Sequence, residues 1–125
     1  MTPRRLSLAA GVVILVVVAN GCALRSKNAL DVSLTASALA LQVDDTERKL
    51  FDAKVISQPR HDALAPVVLR LLIAAQAFQH AVEANQDGTF SRQEVERALD
   101  DLAQVVQDIP PLATAVDVAR RFLTQ

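Results

Sequence analysis

Few side chains in this sequence are able to do chemistry. The chain has one cysteine, Cys22, and two histidines, His61 and His80. A single thiol cannot close an internal disulfide, so Cys22 needs another role. His80 and Glu83 stand three apart, a spacing that puts both on one helix face, as metal ligands sometimes are. With no second such pair, a solvated helix end is the simpler reading. His61 and Asp62 are adjacent, so on a helix they point to different sides, form no acid–base pair and belong on the surface. Arg70 interrupts an apolar run; its stem is expected to be buried, with the guanidinium paired to Asp44, Asp45 or Glu47. No Ser/His/Asp or Cys/His grouping and no Gly-rich phosphate loop can be assembled. The sequence therefore points away from an enzyme, and no catalytic residue is assigned.

Between two helical stretches lies Glu83-Ala84-Asn85-Gln86-Asp87-Gly88-Thr89-Phe90-Ser91-Arg92-Gln93-Glu94. This segment resembles an EF-hand calcium loop. The resemblance implies ligands from Glu83, Asn85, Asp87, Ser91 and Glu94, a backbone carbonyl from Thr89, the sharp turn at Gly88 and the apolar eighth position at Phe90. Glu83 stands where the family has aspartate. The preceding joint, residues 49–60, carries Lys49, Phe51, Ala53 and Arg60 at the corresponding places and could not bind calcium. The same residues also have a use without metal: Asp87-Gly88 as a turn, and Ser91 with Glu94 as a capping box. Calcium is the alternative cofactor, and no other is expected.

The N-terminus explains the lone cysteine. Residues 1–22 read MTPRRLSLAAGVVILVVVANGC: a basic start at Arg4 and Arg5, an apolar run Leu6–Ala19, then small residues up to Cys22. This is the layout of a secretory signal peptide, and its apolar run is shorter than the ~20 residues of a full membrane span. Ala19-Asn20-Gly21-Cys22 resembles the lipobox of bacterial lipoproteins, with Asn20 a polar departure. The resemblance implies removal of residues 1–21 and lipidation of Cys22, where two acyl chains anchor stably at roughly 0.8 kcal/mol per buried CH₂. The alternative is an uncleaved single-pass anchor, because the stretch from Leu6 to Leu24 is uncharged. Both readings place the rest of the chain on the extracytoplasmic side of the cell envelope.

Composition bears on the remainder. Apolar residues make up 51% of the chain, yet there are four Phe and no Trp or Tyr, so a core must be built from Ala, Leu, Val and Ile. With three glycines, turns are too scarce for a β-sandwich. Removing Arg4 and Arg5 leaves 11 basic against 14 acidic residues, a net charge of −3 from Cys22 onward. No Lys/Arg cluster or set of stacking aromatics accompanies it, which argues against nucleic acid as a partner. The partners expected are the membrane and either another protein or a second copy of the chain.

Periodicity predicts an all-α fold, a small up-and-down bundle of about four helices, at residues 30–125 after a tether at 22–29. The first helix is expected over 30–53, with Leu30, Leu34, Ala38 and Leu41 opening its stripe and Leu39, Val43, Thr46, Leu50 and Ala53 continuing it. The second spans 58–84, capped by Ser57, with a kink or restart at 62–66 before Pro66. Its run from Val67 to Phe78 is apolar nearly all round and is expected to be the most buried. The third, 92–109, begins at the Ser91/Glu94 box and presents Val95, Leu99, Leu102, Val106 and Ile109. The fourth, 111–123, presents Leu112, Ala115, Val116, Ala119 and Phe122. A loose repeat aligns Val55-Ile56-Ser57 with Thr89-Phe90-Ser91 as two equivalent joints.

Overall fold

The computed structural model describes residues 28–124; the leader, Cys22 and most of the tether lie outside the described residues. Four helices follow one another: α1 (Ala29–Asp52), α2 (Gln58–Glu83), α3 (Thr89–Val105) and α4 (Pro110–Leu123), with no strand among the described residues. Helix α1 packs on α2 and α4, and α3 packs on the same two, so the helices close a ring around one core. The chain is a small all-α bundle.

Local signals account for the helix ends. Asn28 caps α1, its side chain accepting from the backbone N–H of Leu30 at 3.0 Å, and Asp31 in the first turn suits the helix dipole. Ser57 caps α2 by accepting from the Arg60 N–H at 3.3 Å, with proline in the first turn where no N–H is needed. Both helices then stop in the same way. After α1, Lys54 takes a left-handed φ of 62°, its N–H bonds to the Phe51 carbonyl, and the Val55 N–H reaches Leu50. After α2, Asn85 (φ 57°) bonds to Val82 and Gln86 reaches Ala81. Each is a Schellman motif, which satisfies carbonyls the helix leaves free. Asn tolerates the left-handed region well, whereas Lys54 adopts it against its side chain's preference. The two joints are thus equivalent, but Ser57 corresponds to Gly88, three residues earlier than the alignment on Ser91.

Helix α2 does not restart at Pro66; it runs through it. The missing N–H leaves the Asp62 carbonyl without its helical partner, at a point where both residues are exposed to solvent. Helix α3 starts at Thr89 rather than 92 and ends at Val105 rather than 109. Ile109 precedes Pro110 and is held extended (φ −122°, ψ 84°), so α4 begins at Pro110.

The core takes Leu64, Leu71, Leu99, Leu102 and Leu112, all fully buried, with Val43, Val95, Val106 and Val116. Each such side chain contributes roughly 1.5–3 kcal/mol. The expected stripes of α3 and α4 face this core. That of α1 does so only in part: Leu39 and Val43 point inward, together with Val32, Ala36, Ala40 and Glu47, whereas Leu30, Leu34, Ala38 and Leu41 are exposed. Nor is α2 buried all round, since Leu69, Ile73 and Ala77 face outward. In a ring of four, every helix keeps an outer face, so none is central.

Among the described residues, one buried side-chain polar atom lacks a partner. Thr35, 2% exposed on the inner face of α1, has a hydroxyl with no hydrogen bond. An unpaired hydroxyl in an apolar site costs free energy that an isosteric methyl does not. Thr35→Val is expected to stabilise the bundle by about 1 kcal/mol, read as a higher urea midpoint with unchanged slope.

Candidate functional site

The one buried carboxylate among the described residues sits at the joint between α1 and α2. Glu47 continues the inward stripe of α1 one turn beyond Val43 and is 2% exposed. A carboxylate there requires a partner, and the chain reverses through the Lys54 turn to supply one from the first turns of α2. His61 Nδ1 lies 2.5 Å from Glu47 Oε2. The imidazole stacks on Phe51, with centroids 4.0 Å apart and planes 13° from parallel. His61 is therefore not the surface residue expected from its neighbour Asp62; its side chain is 24% exposed, and Asp62 instead accepts from Gln58 at 2.8 Å. The pairing was hidden in the sequence because Glu47 and His61 lie on different helices. The signal that could have found it is Glu47 falling four residues after Val43, in phase with the core.

Arg70 is also placed differently from expectation. It is exposed and pairs with Asp101 of α3, not with Asp44, Asp45 or Glu47. Asp44 and Asp45 instead serve Arg48 and Lys49 one turn on, at 3.1 and 2.9 Å. Asp100 and Asp101, adjacent on α3, point to opposite sides and reach two different neighbours: Asp100 meets Arg120 of α4 at 3.0 Å while Asp101 meets Arg70. Beside the first pair runs an open groove of about 560 Å³ along the α3–α4 seam, lined by Ala103, Gln104, Gln107, Ala113 and Asp117 as well as Asp100 and Arg120. Asp117 is held by Arg121 at 2.9 Å. The groove offers paired charges and amides rather than a free nucleophile or base.

In segment 83–94 the sharp turn belongs to Asn85, not Gly88. Gly88 has φ −89°, open to any residue; what it requires is space, because a Cβ there would stand 3.0 Å from the Phe78 ring and 3.3 Å from Val82. Ser91 and Glu94 do not form a capping box. Helix α3 has already begun at Thr89, and Asp87 closes its start by accepting from the Thr89 N–H at 2.9 Å and hydroxyl at 2.6 Å. Those two bonds hold the Asp87 carboxyl below its ordinary pKa. Glu83 accepts from Gln79 at 3.2 Å, and Glu94 pairs with Arg97 at 2.7 Å. Thr89, Ser91 and Glu94 are spread along α3 rather than wrapped around a centre. Among the described residues no three His, Cys, Asp or Glu side chains gather as a metal site. His80 and Glu83 share the last turn of α2.

Arg60 ties the far joint. It donates to both oxygens of Asp108, at 2.9 and 2.7 Å, and to the Val105 carbonyl that ends α3. Asp108 raises the Arg60 pKa above its ordinary value, and Arg60, followed by the backbone N–H of Asp108, lowers that of Asp108. A carboxyl depressed on folding contributes stability above its unfolded pKa, near 4, and loses it as pH falls through the lower folded value. Asp108→Asn is therefore expected to lower the urea midpoint at neutral pH. The difference from the parent chain should close as pH falls from about 4 through the lower folded value.

No protein-family model, curated protein or solved structure matches this chain.

Proposed function

We propose that the chain is an exported lipoprotein, held at a membrane of the cell envelope through Cys22, whose helical bundle is a non-enzymatic protein-interaction or structural module. The observation that carries this reading is the order of parts: a basic start, a short apolar run and Ala19-Asn20-Gly21-Cys22, then helix-forming sequence capped by Asn28. Cleavage at Cys22 would remove the leader and leave the whole bundle intact behind a short tether. The non-enzymatic part rests on the side chains themselves. The acids of the α3–α4 groove are engaged by arginines, and His61 is tied to the buried Glu47, which requires it as a partner.

The test is the intact mass of the chain extracted from membranes. Loss of residues 1–21 with acyl groups added is the expected result. Retention of Met1 with an unmodified Cys22 would replace the lipid by a proteinaceous anchor. Calcium binding through 83–94 is the weaker reading, because Asp87 already closes α3 and Glu94 is paired along it. Binding heat on titration with millimolar calcium would restore it.

A further inference from the structure

The outer faces of α1 and α2 differ from the rest of the surface in having almost no charge over one half of their length. From Val32 to Val43 helix α1 carries no ionisable side chain, and from Leu71 to Gln79 neither does α2. The two stretches are level. The Ser37 hydroxyl donates to the Ala75 carbonyl at 3.3 Å and to Gln79 Oε1 at 3.0 Å, while Glu47 meets His61 farther along, which makes the pair antiparallel. On the outside of this neutral half stand Leu34 and Leu41 of α1 and Ile73 of α2, with Leu30 and Leu69 just beyond its two stretches. Leu41, Leu69 and Ile73 are 59%, 56% and 58% exposed. An exposed apolar patch of this kind on a monomer often marks an interaction site.

We propose that this α1–α2 face lies on the lipid surface to which the chain is tethered, an inference that rests on the anchor at Cys22. Between Cys22 and the start of α1 stand residues 23–28, whose full extension reaches only ~20 Å. The neutral half of α1 is the half nearest that tether. The charges of α1 that follow, Asp44, Asp45, Arg48 and Lys49, lie in the half farther away. Arg25 and Lys27, within the tether, suit anionic headgroups. A second copy is the weaker occupant, since a few part-exposed aliphatic side chains present on the order of 300–500 Å² against the ~800 Å² per partner of a stable dimer.

The chain contains no Trp or Tyr, so one introduced indole reports alone. Leu41→Trp and, as a control on α3, Phe90→Trp would be made in the full chain and isolated with its native N-terminus. Each would be reconstituted in vesicles of phosphatidylcholine and phosphatidylglycerol with or without bromine on the acyl chains. Position 41 is expected to emit to the blue of position 90 and to lose about half its intensity to the brominated lipid, because an interfacial helix sinks ~5–10 Å into the headgroup–acyl boundary. Position 90 should be unaffected. The intact mass of the same sample reports Cys22 separately. Equal, weak quenching at both positions with Cys22 acylated would overturn the proposal and leave the anchor standing. Quenching at position 41 without acylation would do the reverse. A blue-shifted but unquenched position 41, with cross-linked dimers, would assign the face to a second copy and overturn the lipid assignment.

Discussion

Replacing His61 by alanine is expected to destabilise the bundle by about 3 kcal/mol, because it leaves the Glu47 side chain inside the protein with its hydrogen-bonding partner gone. The effect is larger than the ordinary value of an exposed ion pair, roughly 0–1 kcal/mol, since Glu47 is only 2% exposed. Removal of the ring also strips Phe51 of its stacking partner. Glu47→Gln separates the two contributions. It keeps the shape and a hydrogen-bonding group while deleting the charge, so the loss should be smaller in Glu47→Gln than in His61→Ala. The double variant His61→Ala/Glu47→Gln should recover part of the loss of His61→Ala alone. Urea midpoints at neutral pH measure all three. Equal losses in the single variants and no recovery in the double would mean that packing of the imidazole, not the buried charge, holds the α1–α2 joint.

The same pair shows where the sequence is legible and where it is not. Helix positions followed from local signals: Ser57 as a cap, the Val95-to-Ile109 stripe, and the arginines in the last turn of α4 are determined by residues within a turn or two of one another. Partners across helices were not, because α1 and α3 both flank α2 and the pairing of Arg70 with Asp101 rather than Asp44 depends on which side of α2 it stands. Segment 83–94 supports two readings for a related reason. Asn, Asp, Gly, Thr and Ser favour both metal loops and helix ends, and here Asn85 closes a Schellman motif while Asp87 starts the next helix. Only the backbone angles at Asn85 and Gly88 separate the two uses.

Inner and outer faces of α1 and α2 were the hardest to read, and a paired substitution exposes the consequence. Leu69-Arg70-Leu71-Leu72-Ile73 offers apolar side chains on every side of α2, so periodicity cannot choose among them. In the fold, Leu71 is fully buried whereas Leu69 is exposed. Leu71→Ala is expected to cost about 3–4 kcal/mol, the loss of transfer free energy plus the cavity left in a core of Ala, Leu and Val. Leu69→Ala should change stability by less than about 0.5 kcal/mol in detergent-free solution of the bundle, as for an ordinary surface site. A large effect at Leu69 would mean that its side chain is covered in the folded protein, and the face on α2 would then be an interface that persists without lipid. A small effect at Leu71 would contradict the register of α2 as a whole, because Leu64, Val68, Ala75 and Phe78 share its face. The contrast between two leucines two positions apart therefore tests the rotation of α2, on which the core and the lipid-facing surface both depend.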